Sequence, residues 1–465
     1  MFSFTFTVLF LVSGSLSSKS FLKIASSVAG FSAVIDRYDF VGRALASLAD
    51  VNGDAVPDLA VGTGGYDFQS SYNGDDDGGL DRGALYVLFL QSSCQAASMV
   101  LSFQKLSSTR GEFTARLDNS DFFGSAVAGL TDLNLDGTSD VVSGAFGDDD
   151  GGTGRGAIYV VFLSSAGTVR SFQKVSASSG AFTAALGDFD AFGAAVAGLG
   201  DANGDYILDI AVGAMWDDNG GTDRGAIYIL FMMTNGVVKS SQTLSQLTGM
   251  FTGLLDDQDF FGSSVSVLAD VNRDAHAELV AGSIGDDDGG TGRGAVYILF
   301  ISTVGVSTSL QKISSTLGSF TAALYNSDAF GSSVCGLSDL NGDFQADLAV
   351  GALLSDDGGL NRGCVYVLFL QSSGAVRYFS KLSSTVGGLT ASLLNSDYFG
   401  SAIAGGLSDL NGDSFPDWVV GSFGRDEPAG NSDTGAIYLL FSGYLAFSVI
   451  VCRFPVLDII LFVYV

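Results

Sequence analysis

Apolar residues along this chain fall in short runs punctuated by Gly, Asp and Asn. "DLAVGT" (58–63), "DIAVGA" (209–214) and "DLAVGA" (347–352) are runs of one kind; "GAIYVVF" (156–162) and "GAIYLLF" (435–441) are runs of another. Val, Ile, Phe and Tyr dominate them and turn formers bound them, which is the pattern of strands and turns. No window sustains apolar residues at helical spacing. The runs are apolar throughout, as expected of strands covered on both faces. "SFQKVS" (171–176) instead alternates and carries Lys. That predicts an outermost strand at a rim, where charge discourages edge pairing.

The runs recur in a fixed order. A glycine-led segment, such as "FGSAVAGLTDL" (123–133), "FGAAVAGLGDA" (192–202) or "FGSSVCGLSDL" (330–340), precedes a carboxylate-rich loop. The "VGA" run follows. An acidic glycine turn then enters the aromatic run, as in "DDDGGTGRGAIYVVF" (148–162), and a Lys-bearing segment closes the unit. The first Asp of successive loops is spaced by 82, 69, 69, 69 and 70 residues, so there are six units. Four strands per unit predict an all-β fold, a β-propeller of six four-stranded blades; a seventh blade would have to be degenerate. "FLKIASS" (21–27) and "FSAVID" (31–36) match the end of a unit, while the sixth unit stops at its third strand. An N-terminal outer strand would therefore complete the last blade and close the ring.

The six loops are "DVNGDAVPD" (50–58), "DLNLDGTSD" (132–140), "DANGDYILD" (201–209), "DVNRDAHAE" (270–278), "DLNGDFQAD" (339–347) and "DLNGDSFPD" (409–417). Each carries oxygen-bearing side chains at its first, third, fifth and ninth places. Turns need one or two such residues, not four in fixed register. Calcium needs six to eight oxygens. An EF-hand would place Glu at position twelve, where this chain has Val61, Ser143, Val212, Ala281, Val350 and Val420. Magnesium prefers fewer carboxylates, and zinc prefers N and S ligands.

Formal net charge is -29, from 50 Asp+Glu against 21 Lys+Arg. That balance argues against a nucleic-acid partner and suits a chain holding divalent cations. Four Cys make no disulfide framework; Cys335 and Cys364 stand where sister units carry Ala and read as small core residues. Residues 1–20 resemble a secretory signal without a basic leader. Residues 446–465 form an apolar tail interrupted by Arg453, Pro455 and Asp458, an anchor or a stray extension of the gene. No N-x-S/T acceptor corroborates secretion.

The tandem pairing of "FG" with D-x-N-x-D-x-x-x-D and "VGA" resembles the FG-GAP repeats of integrin alpha-subunit β-propellers, over roughly residues 21–441. The resemblance implies calcium in the loop joining the first two strands of each blade, up to six ions. Carried over by position, the side-chain ligands are Asp50, Asn52, Asp54 and Asp58 in the first loop and Asp132, Asn134, Asp136 and Asp140 in the second. Asp201, Asn203, Asp205 and Asp209 serve the third; Asp270, Asn272, Asp274 and Glu278 the fourth. Asp339, Asn341, Asp343 and Asp347 serve the fifth, and Asp409, Asn411, Asp413 and Asp417 the sixth. Integrin-type propellers usually have seven blades and calcium in only some of them. Glu278 and Arg273 depart from the pattern, so loop four is expected to be the weakest site. His276, at position seven, reads as an exposed loop residue.

Successive turns of an up-and-down blade alternate faces, which puts the acidic turns (Asp75–Arg82, Asp148–Arg155, Asp217–Arg224, Asp286–Arg293, Asp356–Arg362) opposite the calcium loops. They read either as solvated turns with Arg pairing locally or as a docking surface for a basic or metal-bridged ligand. Near-identical repeats with one His argue against an enzyme; a propeller-based polysaccharide lyase or hydrolase is the weakest alternative. The expected function is a secreted or cell-surface adhesion or recognition module for protein or polysaccharide ligands, with a structural matrix or wall protein as the alternative. The apolar tail is the expected route to any membrane attachment.

Overall fold

A computed structural model describes residues 21–441 apart from 26–27, 37, 65–74, 93–98, 390, 413–414 and 426–433, together with the backbone of two strands in the tail. The signal-like segment, the "YDFQSSYNG" insertion (66–74), Asp413 and most of the divergent sixth acidic turn lie outside the described residues.

Six four-stranded antiparallel sheets form the blades of a β-propeller, and the described residues include no helix. Blade one comprises Ala44–Ser47, Leu59–Gly62, Leu85–Leu90 and Val100–Leu106. Blades two to five follow in the same order within 127–176, 192–244, 261–313 and 330–382. Blade six has Ile403–Ala404, Trp418–Ser422 and Ala436–Leu440, and takes its outer strand, Phe21–Ile24, from the other end of the chain. Phe21 pairs with Leu440 and Ile24 with Ile437, so the ring closes as the repeat pattern predicted. In the tail, Ser448–Phe454 and Leu457–Val463 pair as a two-stranded sheet.

The uniformly apolar third strands are explained by where their two faces go. Along Leu85–Leu90, Leu85, Val87 and Phe89 pack against blade two, while Tyr86, Leu88 and Leu90 pack against blade six. Both sides of the alternation are core, so both are apolar. Each such buried side chain contributes about 1.5–3 kcal/mol. Cys335 and Cys364 are free and buried, as small core residues.

Main-chain contacts lock neighbouring blades. The amide N–H of Phe123 donates to the carbonyl of Arg82 in the preceding blade at 2.9 Å, and Phe192, Phe261, Phe330 and Phe399 repeat the bond to Arg155, Arg224, Arg293 and Arg362. Val41 donates to Thr434 across the closure. The glycines are needed here. A Cβ on Gly144 would lie 2.0 Å from the carbonyl oxygen of Gly193, and Gly193 itself holds φ +96°. The second-strand Gly of one blade (in "SGA" at Gly144, in "VGA" at Gly213) thus makes room for the Gly of "FG" in the next.

Candidate metal centre

Every carboxylate loop joins the first and second strands of its blade, on one face of the ring. In loop one, Asp50 Oδ1 accepts the N–H groups of Gly53 and Asp54, and Oδ2 accepts that of Ala55. Asn52 Oδ1 accepts from Asp54, and Asp54 Oδ1 from Val56. The same pattern binds Asp132, Asn134 and Asp136, then Asp201, Asn203 and Asp205. It returns at Asp270, Asn272 and Asp274, and at Asp339, Asn341 and Asp343. This wrapping puts positions four and six in the left-handed region. Gly53 (φ +84°) and Gly204 (φ +82°) accept it freely, whereas Tyr206 (φ +67°) and Phe344 (φ +65°) do so at a cost of roughly 1–2 kcal/mol.

The ninth residue enters the second strand and is buried: Asp58, Asp140, Asp209, Glu278, Asp347 and Asp417 are 0–2% exposed. Each accepts the N–H of loop position two, at 3.0 Å for Val51 to Asp58 and 2.9 Å for Leu410 to Asp417. Burial, reinforced by the other loop carboxylates, pushes Asp58 up to about 6 and Asp347 up to about 8. Asp347 Oδ1 is buried with no hydrogen-bond partner. In loop four the longer Glu278 side chain brings carboxylate oxygens of Asp270, Asp274 and Glu278 within 4.8 Å of one another. The loop expected to be weakest is therefore one in which three carboxylates converge. His276 is exposed, as read from its position.

These donor sets fit calcium. They are all oxygen, they recur in register, and in loop four carboxylate oxygens of three residues converge within 4.8 Å of one another. The residues that would hold the ion are the twenty-four named by position, with Asp413 outside the described residues. A bound ion would cross-link the loop to the buried ninth carboxylate and brace the start of the second strand.

The opposite face differs from the expectation of solvated turns and rim lysines. Lys174 Nζ lies 2.7 Å from Asp148 and 2.8 Å from Asp150, and 5.6 Å above the Tyr159 ring. Lys105, Lys312 and Lys381 make matching contacts with Asp77, Asp288 and Asp357. These lysines are largely buried ion-pair partners rather than edge-guarding charges. Nor do the turn arginines pair locally: Arg155 Nε reaches Asp188 at 2.8 Å and Arg224 Nε reaches Asp257 at 2.8 Å, both in the connection to the next blade. The centre of this face holds a depression of about 320 Å³ lined by Phe146, Trp216, Tyr398, Phe423 and Arg43, with Arg43 4.6 Å above the Phe423 ring.

One recurrent residue escaped the sequence reading. Asp39, Asp121, Asp190, Asp259, Asp328 and Asp397 stand two places before each "FG" or its equivalent and are buried. Each caps the amide three residues earlier, as Asp121 does for Asp118 at 2.7 Å. Carrying the repeat alignment a few residues upstream would have shown it. Burial first, then the neighbouring Asp148, raises Asp121 to about 7; burial and Asp75 raise Asp39 to about 8, and burial raises Asp259 to about 7. A carboxyl raised in the folded state stabilises below its unfolded value and loses that stabilisation as pH climbs through the folded one. The metal-free protein is therefore expected to melt at a higher temperature at about pH 5 than at about pH 8. Carboxylates held low beside lysines, such as Asp150 and Asp288, titrate below that window. Calorimetry of metal-free protein checks this; a melting temperature that rises with pH contradicts it.

Fold and loops together define a repeat-built β-propeller with an oxygen-rich loop on each blade. Comparison with known proteins agrees: the FG-GAP repeat family matches residues 261–299 and 330–368. Mouse integrin alpha-2 is 40% identical over 95 residues, 20% of this chain and 8% of that protein. Human integrin alpha-6 is 33% identical over 168 residues (35% and 13%), and integrin alpha-3 of Cricetulus griseus is 33% identical over 172 (36% and 14%). The chain carries FG-GAP repeats and is similar to integrin alpha subunits, of whose length the matched segments span 8% to 14%.

Proposed function

We propose that this chain is a calcium-binding recognition propeller, secreted or held at the cell surface, acting as an adhesion module for a protein or polysaccharide ligand. One observation carries it. The same nine-residue loop, with the same circle of hydrogen-bonded oxygens around a buried ninth carboxylate, recurs on one face of the ring in five fully described copies. Calcium on that face would be structural. Ligand would dock on the other face, where acidic turns surround the aromatic depression. Similarity to integrin alpha subunits supports the adhesion reading, and no set of acid and base residues breaks the symmetry of the described repeats.

Equilibrium dialysis counts the calcium, and retention on immobilised proteins and polysaccharides, with and without calcium, finds the ligand class. Several ions per chain and calcium-dependent retention on one class are expected. Ions without retention on either class would favour the matrix-protein alternative, and absence of bound calcium would remove the metal reading.

A further inference from the structure

Outer strands of blades one to five carry a β-bulge at their start, and in three of them the bulged residue contacts the carboxylate loop of its own blade. In blade two Phe162 pairs with Ser171 and Leu163 with Val169, leaving Arg170 unpaired in the ladder. Its Nη1 lies 2.7 Å from Asp136 Oδ2, the fifth position of loop two. Lys239 does the same in blade three, 2.8 Å from Asp205 Oδ2, and Arg377 in blade five, 3.3 Å from Asp343 Oδ2. The bulge residue is Leu101 in blade one and Thr308 in blade four. Thr308 Oγ1 donates to the Phe300 carbonyl instead. Among the described residues no Lys or Arg pairs with Asp54 or Asp274; each accepts a side-chain amide hydrogen bond, from Asn52 and Asn272, but so do Asp136 and Asp343, so the missing cation is the difference.

We propose that Arg170, Lys239 and Arg377 are built-in counter-cations of loops two, three and five, so that loops one and four bind calcium more tightly than these three. The proposal rests on reading the loops as calcium sites. A side-chain cation on the fifth carboxylate neutralises one of the three negative charges a loop offers and must give up or share that oxygen when the ion binds. A unit charge about 6 Å from a divalent ion in a water-like dielectric changes its affinity about tenfold, and salt screening reduces this to about three- to tenfold. Loop four gains twice: it lacks the counter-cation and its three carboxylates converge. Its own Arg273 lines a cleft with Asp343 and Arg377, so that charge falls beside loop five.

Loop three provides an internal reporter. Tyr206 is at its sixth position and 93% exposed, so terbium bound there is sensitised by this ring. The part of the luminescence lost in Tyr206→Phe belongs to loop three. Titrating the full chain with terbium alone, Lys239→Thr, which copies blade four, is expected to lower the half-saturating concentration of that part about three- to tenfold. Lys239→Arg should leave it unchanged, and in about 1 M salt, where the Debye length is about 3 Å, the difference should vanish. Lys239 is more than half exposed, so its replacement leaves the core intact. If Tyr206 carries a signal but both Lys239 variants match the wild type, the counter-cation role is wrong and the metal reading stands. If no signal depends on Tyr206 even when terbium saturates the chain, loop three is not a metal site and the counter-cation role of Lys239 falls with it, while equilibrium dialysis still decides the metal reading for the chain.

Discussion

Gly213→Ala is expected to cost at least about 4 kcal/mol or to prevent folding, the range reserved for forced overpacking. Its backbone angle is ordinary, so the penalty is steric: a Cβ there would lie 2.0 Å from the carbonyl oxygen of Gly262 in the next blade and 3.2 Å from the Ala195 Cβ. Neither the carbonyl nor the sheet behind it can retreat without opening the seam between blades three and four. Gly204→Ala is the control. That residue holds φ +82° but has nothing within 4 Å, so the substitution costs only about 1 kcal/mol. Urea denaturation of both variants decides the matter. Equal midpoints would mean that the seam has slack and that blade contacts tolerate a methyl group.

Chelation is expected to lower the melting temperature by on the order of 10 °C or more. An ion at a hundred times its dissociation constant stabilises the folded state by about 2.7 kcal/mol per site. Four filled loops would supply about 11 kcal/mol, which at about 2.1 cal/mol/K per residue over about 420 residues is a shift of about 12 °C. The loops amplify the effect because removing the ion leaves several carboxylates facing one another on a chain of net charge -29. Differential scanning calorimetry with calcium and then with chelator measures it. An unchanged transition would make the loops solvated turns, while the propeller itself, held by blade packing, would stand.

Much of this was legible because repetition multiplies weak signals. A single "LAVG" could be a buried strand or a stretch of helix, but six copies between an oxygen-rich loop and a glycine turn leave little choice, and the orphaned "FLKIASS" at the start disclosed how the ring closes. The nine-residue loop could likewise be read from spacing alone. What sequence concealed were contacts between units. That Lys174 bends back onto Asp148 and Asp150, or that Arg155 crosses to Asp188, depends on which strand end meets which turn in three dimensions. The aromatic depression was hidden for the same reason: Phe146, Trp216 and Phe423 follow the second strands of three different blades and become neighbours only when the ring is closed.

Closure also sets a timetable. Phe21–Ile24 is made before the other strands of the ring, yet its partner Ala436–Leu440 comes about 400 residues later. At about 5–20 residues per second the first strand waits roughly 20 to 80 s for the last. Throughout that interval the nascent chain holds an open sheet edge at blade six's future site and an uncovered face on blade one. The finished ring hides both, so the most adhesive surfaces disappear only when Ala436–Leu440 has emerged and paired.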